Sequence, residues 1–585
     1  MKKCALFIVC LLLVSVAVND ASAKNDRHGR HYRQHGRHKV AVGGTPVKEC
    51  VDLTGFSYPG TEITSATLED AGIMIPGIDD PMPEHCIVKG KMNERIGTVD
   101  GKSYAIGFEM RLPTKWNGRY FYQANGGVDG FVAPAFGDIL GGGPTSNGLF
   151  KGFAVISSDA GHPTRSADFG LDPQARLDYG YNAVAELTPM AKGLIKRYYG
   201  KFPDTSYIVG SSNGGRHAMV AASRYADQYD GFLAGSPGFN LPQAAVAQLW
   251  GVQQYATISD YSSGDDFCGP RVPLVPADRP DIKTSFSAED TALVSDYIVD
   301  KCDMLDDADD DWVGDPLACQ ELININRDIS TCESPGDTNC LTYGQKSVLA
   351  RVHAGAMNSL GEALYTDFLW DPGIRASAWR TWKFCNSISD RDPVAVGYIF
   401  ATPPQYPLDG TTDLEYALNW NDEGFDVDQD APLIYATEGI YTEAAMSFMT
   451  PPDLLMKQLH AKGGKLIVVH GSADPVFSVA DTLDWYDALS AHYKKHTKDF
   501  ARLFIVPGMS HSRGGPACDQ FDLVDALVDW VEKGKEPDAV TATARADNSE
   551  APWPGRTRPL CAYPAVPVYK GGNMERASSF SCVNP

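Results

Sequence analysis

Gly210-Ser211-Ser212-Asn213-Gly214 has the form G-x-S-x-G, with a β-rich run before it (Ser206–Gly210, SYIVG) and a helical pattern after it (Arg216–Ala226). That context gives the motif a chemistry. A sharp strand-to-helix turn holds a serine at the strand end, small flanking glycines let strand and helix close up, and the helix N-terminus offers backbone N–H groups to an oxyanion. Only Ser212 fits the central position; Ser211 stands one residue early. Two later segments supply partners. Asp474 lies in His470-Gly471-Ser472-Ala473-Asp474-Pro475, after the apolar run Lys465–His470, and His511 lies in Val506-Pro507-Gly508-Met509-Ser510-His511, after Arg502–Val506. The order Ser, Asp, His, each on a loop past a strand, is that of α/β-hydrolases. His511 is then the base that takes the Ser212 proton, and Asp474 holds its tautomer and stabilises the imidazolium. An oxyanion hole needs two N–H donors. Asn213, next to the nucleophile, is one. Gly127, in the turn Asn125-Gly126-Gly127 after Arg119–Gln123, is the other, with Gly126 as alternate.

The elements that must position these residues alternate along the chain. Tyr104–Arg111, Arg119–Gln123, Phe153–Ser158, Ser206–Gly210, Lys465–His470 and Arg502–Val506 read as strands. Helical spacing runs over Tyr179–Tyr199, Arg216–Ala226 and Phe521–Lys533. The pattern predicts an α/β-hydrolase fold, a mostly parallel sheet with helices on both faces. Residues 41–239 and 456–585 form its catalytic domain. Residues 240–455 break the rhythm with many Cys, Asp, Pro and Trp, and read as a large inserted lid domain over the strand ends.

The chain has 585 residues, 43% hydrophobic and 21% charged, which excludes a mainly disordered, collagenous or multi-span membrane protein. Its formal net charge of −23 repels phosphate backbones, so nucleic acid is not an expected partner. Residues 1–23 read as a signal peptide: Lys2 and Lys3, the apolar run Cys4–Val18, then Ala21-Ser22-Ala23 as cleavage site. The expected location is secreted, periplasmic or extracellular, without stable membrane association, and as a monomer. Residues 24–40 are His/Arg-rich and low in complexity, expected to be a disordered solvated tail. Eleven cysteines remain after the signal, an odd number, so at least one thiol has no partner within the chain. Cys302–Cys319, Cys332–Cys340 and Cys561–Cys582 make short loops; Cys50 and Cys86 are further disulfide candidates, and spacing leaves connectivity open.

Long runs carry a resemblance: FGLDPQARLDYGYNAV at 169–184, SNGGRHAMVAASR at 212–224, GFNLPQAAVAQLWG at 238–251, VVHGSADPVFS at 468–478 and PGMSHSRGGPACDQFD at 507–522. Over roughly residues 45–570 the chain resembles the tannase and feruloyl esterase family of α/β-hydrolases, and within it looks most like the bacterial mono(2-hydroxyethyl) terephthalate (MHET) hydrolases. The resemblance implies a Ser-Asp-His esterase with a lid, acting on small-molecule esters of aromatic acids, whether MHET-like, feruloyl or galloyl. It also implies a pocket lined by Leu241, Trp382, Phe400, His470 and Phe477. The family joins the residue before the nucleophile to the residue after the catalytic histidine by a disulfide; here those positions are Ser211 and Ser512, and Cys385 with Cys518 is the candidate substitute bridge. A structural Ca²⁺ is implied too, held by the carboxylates of Asp303, Asp306 and Asp310 and the carbonyls of Ala308 and Trp312, with Asp307 and Asp311 where glycines are usual. MHET hydrolases grip a free carboxylate with a lid arginine; here Val396 stands nearer that place and Arg391, the only arginine in 390–400, is displaced from it, which favours a broader aromatic esterase. Two other readings differ in class. A serine exopeptidase needs a charged pocket for a peptide terminus, which the sequence does not display. A calcium-stapled binding protein on an inactive scaffold is disfavoured by the complete triad.

Overall fold

The computed structural model describes residues 40–585 apart from 76–77, 79–80, 142–145, 262–266, 273–274, 335, 390 and 408–409. The predicted signal peptide and nearly all of the His/Arg-rich segment lie outside the described residues.

Nine strands form the main sheet: β1 Thr61–Glu69, β2 His85–Ile96, β3 Ser103–Pro113, β4 Arg119–Ala124, β5 Ala154–Ser158, β6 Thr205–Ser211, β7 Gly231–Gly235, β8 Lys465–Gly471 and β9 Ala501–Val506. Their order is β1-β2-β3-β5-β4-β6-β7-β8-β9. From β5 through β9 every neighbouring pair is parallel; β1, β2 and β3 close one edge antiparallel. The parallel strands read as unbroken apolar runs because both faces are covered. Tyr120, Tyr122, Ile156, Ile208 and Phe232 enter one buried cluster, and Phe121, Val155, Tyr207, Val209 and Leu233 the other, in the alternation that a pleated strand imposes.

The sheet is anchored at the end opposite the catalytic loops. Glu532, in the helix Leu523–Lys533, is fully buried. It accepts two hydrogen bonds from Arg119, at 2.6 and 2.8 Å, and others from Tyr207 at 2.9 Å and Thr205 at 3.0 Å. A buried carboxylate is tolerable only when satisfied in this way, and here it ties β4 and β6 to the covering helix.

Between β7 and β8 the described residues carry helices and turns, with strand pairing limited to isolated bridges. This segment belongs to the same folded unit as the sheet. Its first helix, Leu241–Ala256, is buried along most of its length.

Among the described residues there are five disulfides: Cys50–Cys86, Cys268–Cys385, Cys302–Cys319, Cys332–Cys340 and Cys561–Cys582. The Cys385–Cys518 pairing is corrected. Cys385 faces Cys268 with Cα atoms 5.6 Å apart, whereas Cys518 is a buried free thiol whose Sγ lies 3.6 Å from the Arg556 carbonyl oxygen. Burial pushes that thiol up to about 12, so it is an inert apolar filler.

Candidate active site

Ser212 sits at the turn between β6 and the helix Asn213–Arg224 with φ 63° and ψ −127°. An L-residue in that region carries strain of about 1–3 kcal/mol, and such strain persists only where neighbours over-determine it. The glycines are required by crowding. A Cβ on Gly210 would lie 2.6 Å from the Ala124 carbonyl oxygen, and one on Gly214 would lie 2.2 Å from the same atom.

The three loops converge. His511 Nε2 is 2.8 Å from Ser212 Oγ, and His511 Nδ1 is 2.8 Å from Asp474 Oδ2. Asp474 Oδ1 accepts the backbone N–H groups of Val476 at 2.9 Å and Phe477 at 3.2 Å. Burial opposes ionisation of Asp474, but the His511 charge and hydrogen bonds from His470 and His511 outweigh it and hold the carboxyl below the ordinary carboxylate range. The histidine ring is flanked by Trp382 and Phe477, each edge-on with centroids 5.3 and 5.4 Å away. Where the resemblance led to a disulfide, Ser211 Oγ and Ser512 Oγ are 2.6 Å apart, one hydroxyl donating to the other.

A pocket opens over Ser212. Gly127 and Asn213 line it beside the nucleophile, and Leu241, Trp382, Phe400 and Phe477 form its apolar wall. His470 is corrected: it does not line the pocket. It is fully buried behind the acid, with Nδ1 2.8 Å from Thr482 Oγ1, and with Nε2 3.0 Å from the Phe477 carbonyl and 3.2 Å from Asp474 Oδ2. Its place is to support Asp474.

Arg391 reverses a second expectation, because it lines the pocket although its sequence position is displaced. A Cβ on Gly127 would come within 2.9 Å of an Arg391 guanidinium nitrogen, and the guanidinium carbon lies 5.8 Å from the Trp382 ring centroid. Val396, the position nearer by counting, is fully buried in the core. Asp392 also lines the pocket, and burial, only partly countered by Arg391 and Lys383, pushes its carboxyl up to about 7. Neither residue was singled out from sequence as part of the site. The one available signal was that an Arg-Asp pair falls within a lid segment rich in apolar residues.

The acidic loop lies elsewhere. Asp303 accepts the N–H groups of Asp310, Asp311 and Trp312 at 3.0, 3.2 and 2.9 Å, and Asp306 accepts that of Ala308 at 3.1 Å. Arg558 donates to Asp310 Oδ2, while Asp306 Oδ2 and Asp310 Oδ1 are buried without a hydrogen-bond partner. Among the described residues no three His, Cys, Asp or Glu side chains are arranged as a metal cage.

A family model described as tannase and feruloyl esterase matches residues 86–583. The chain belongs to that family. It is 36% identical over 547 residues to the mono(2-hydroxyethyl) terephthalate hydrolase of Piscinibacter sakaiensis, covering 86% of this chain and 85% of that one. It is 26% identical to a probable feruloyl esterase B-2 of Aspergillus fumigatus, over 85% of this chain and 87% of the relative. The solved feruloyl esterase B of Aspergillus oryzae superposes with a TM-score of 0.70 at 22% identity, over 91% of this chain and 99% of that one, a likeness of fold. The tannase and feruloyl esterase family member described here is therefore a carboxylic ester hydrolase with an α/β-hydrolase fold.

Proposed function

We propose that the enzyme is a secreted serine esterase that cleaves esters of aromatic acids through an acyl-enzyme on Ser212. The observation that carries this is the 2.8 Å contact from His511 to Ser212 at the floor of an aromatic-walled pocket. The acyl ring lies among Leu241, Trp382, Phe400 and Phe477. As His511 takes its proton, Ser212 Oγ attacks the ester carbonyl, and the N–H groups of Gly127 and Asn213 receive the oxyanion. His511 then gives its proton to the departing alcohol. A water activated by the same ring releases the acid.

Arg391 extends the reading to acyl groups that carry a second, anionic substituent. Among the described residues its guanidinium makes no ion pair, and it faces the pocket that holds the nucleophile. A planar fork of donors suits a carboxylate. The name of the 36%-identical relative points the same way. The test is a panel of MHET, ethyl ferulate and methyl gallate. Arg391→Ala should raise KM for MHET by about 10-fold or more, the size of a lost charge-assisted hydrogen bond, while leaving ethyl ferulate within about 2-fold. Equal effects on both substrates would remove Arg391 from this role and leave a feruloyl or galloyl esterase without terephthalate monoester preference.

For the acidic loop our reading is a structural Ca²⁺ site. Asp306 Oδ2 and Asp310 Oδ1 are buried oxygens without hydrogen-bond partners, and burial, with Asp310 adding, pushes the Asp306 carboxyl up to about 7. Asp303, Asp306 and Asp310, with the carbonyls of Ala308 and Trp312, would hold the ion, which when bound would add positive charge to that which Arg556 and Arg558 already bring to Asp310. Export is supported by the signal-like N-terminus and the five disulfides, which persist in oxidising compartments. Among the described residues no helix is long and apolar enough to cross a membrane.

A further inference from the structure

The two oxyanion donors come from segments far apart in sequence. Gly127 lies on the loop after β4, and Asn213 opens the helix after β6. Parallel pairing of β4 with β6 brings their ends together, since Ala124 pairs with Gly210. Strand pairing stops there, and the donors lie beyond it. Both segments are also strained. Asp129 has φ 55° and Ser212 φ 63°, left-handed values that cost an ordinary L-residue about 1–2 kcal/mol. Something must hold each in place and fix one against the other.

The loop carbonyls are held from behind. Tyr179 Oη donates to the Gly127 carbonyl at 3.2 Å, and the His162 Nε2–H donates to the Val128 carbonyl at 2.7 Å. Burial lowers His162 to about 4, so the ring is a neutral donor with a fixed tautomer. Between the two segments the side-chain contacts converge on Asp129: Asn213 Nδ2 donates to Asp129 Oδ2 at 2.9 Å. His217 Nε2, on the next turn of the same helix, lies 3.1 Å from the same oxygen. Asn213 Oδ1 accepts from Arg216 Nε at 2.6 Å, and Arg216 donates onward to the Tyr179 carbonyl at 2.9 Å and the Gly180 carbonyl at 2.7 Å. The circuit closes on itself: Gly127, Tyr179, Arg216, Asn213, Asp129 and back to the loop. Asp129, Asn213, Arg216 and Tyr179 are all at most 3% exposed.

We propose that Asp129 is a positioning residue for the ester hydrolysis: its carboxyl group locks the Asn213 end of the oxyanion hole to the Gly127 end, so that two N–H groups from separate segments meet one oxyanion. This rests on the reading of Gly127 and Asn213 as the donors. The physical case is that a preorganised donor pair is worth most when nothing must reorganise as charge develops. Among the described residues the helix and the loop have no side-chain hydrogen bond between them other than those made by Asp129. Removing it leaves every backbone N–H in place but frees the distance between them.

The experiment is a double-mutant cycle on Asp129→Ala and Asn213→Ala. Asn213→Ala keeps its own backbone N–H and loses the tie to Asp129 together with the acceptor for Arg216 Nε. Each single change should lower kcat by about 10- to 100-fold, up to the cost of losing one donor, with KM within about 2-fold. The double change should be about as slow as either single, because both break the same contact. Affinity for an aryl trifluoromethyl ketone, which forms a charged tetrahedral adduct, should fall in parallel with kcat, while affinity for the free product acid stays constant. A merely structural role would lower the melting temperature without moving that ratio. Asp129→Asn keeps an oxygen to accept from Asn213 and should restore kcat to within about 5-fold, less than the cost of one lost hydrogen bond to a charged group. If Asp129→Ala does not fold, Asn213→Ala and Asp129→Asn carry the same comparison. Single effects that multiply in the double variant, or a ketone affinity unchanged in Asn213→Ala, would overturn the proposal. Ser212→Ala is run alongside. If it stays active, the serine reading fails; if it is inactive while the cycle is additive, only the role of Asp129 fails.

Discussion

At the residue scale, the catalytic roles follow from who touches whom. Asp474 is the most constrained of the triad, since two backbone N–H groups, His470 and His511 all converge on its carboxylate. Its depressed folded-state pKa has a definite consequence. A carboxyl depressed on folding contributes stability that is present above its unfolded pKa, near about 3.9, and is lost as pH falls through the lower folded value. Asp474→Asn should therefore melt below the wild type at pH 7, with the gap closing as pH falls below about 3.9. Its kcat should drop by about 10⁴-fold, as when the orienting carboxylate of a triad is neutralised. A melting gap that widens on acidification would contradict the assigned direction. The nucleophile, base and acid were legible in the sequence because each lies on a short loop whose local pattern announces it. His470 and Arg391 were not. His470 lies near the end of β8, but both its ring nitrogens are taken by Thr482, Phe477 and Asp474, so it turns into the core. Arg391 precedes the short turn Asp392–Val394, which runs on into a wider π-type turn at Ala395–Phe400. Such a turn changes which residues share a face, so counting along the sequence pointed to Val396, a core residue.

At the element scale, the parallel strands other than β7 were legible because burial on both faces leaves uninterrupted apolar runs. β1, β2 and β7 were not. β1 is half-exposed along its length, and β7, GFLAG, hides a central strand between two glycines. The glycine at 231 is forced by Tyr207, whose ring would meet a Cβ at 2.6 Å. Ser211, at the end of β6, and Ser512 meet through a hydrogen bond in place of a covalent bridge. Introducing Ser211→Cys with Ser512→Cys should form a disulfide and raise the melting temperature under oxidising conditions; closing a loop of this length is worth up to roughly 5 kcal/mol in the chain-entropy description. Thiol titration of the unfolded, unreduced protein gives the readout. With Cys518 the only free cysteine of the described structure, the bridged variant should show the same thiol content as the wild type. Two additional thiols would show that the loops do not meet.

At the scale of the whole molecule, the segment between β7 and β8 is pinned to the C-terminal strands. Arg558, in the strand Thr557–Cys561, reaches Asp310 in the acidic loop, and Arg556 donates to the Asp310 carbonyl at 2.7 Å. If Ca²⁺ occupies that loop, chelation should lower the melting temperature and re-addition should restore it; extracellular sites often bind at about 10⁻⁴–10⁻³ M, so dilution into metal-free buffer suffices to see the shift. A melting temperature indifferent to strong chelator, with no metal by mass spectrometry, would dismiss the ion. The α/β-hydrolase layout was readable from the alternation of strands and helices, but the segment between β7 and β8 was readable only as an interruption, because most of its helices and turns are too short to carry a long period.

The central claim is that Ser212 is acylated by an aromatic acid. It is tested by quenching the enzyme during turnover of p-nitrophenyl benzoate and mapping the adduct by peptide mass spectrometry, beside Ser212→Ala and Ser211→Ala. A benzoyl group on Ser212 is expected, with kcat lowered by roughly three or more orders of magnitude in Ser212→Ala and near-normal turnover in Ser211→Ala. A benzoyl group on Ser211, or full turnover by Ser212→Ala, would contradict it.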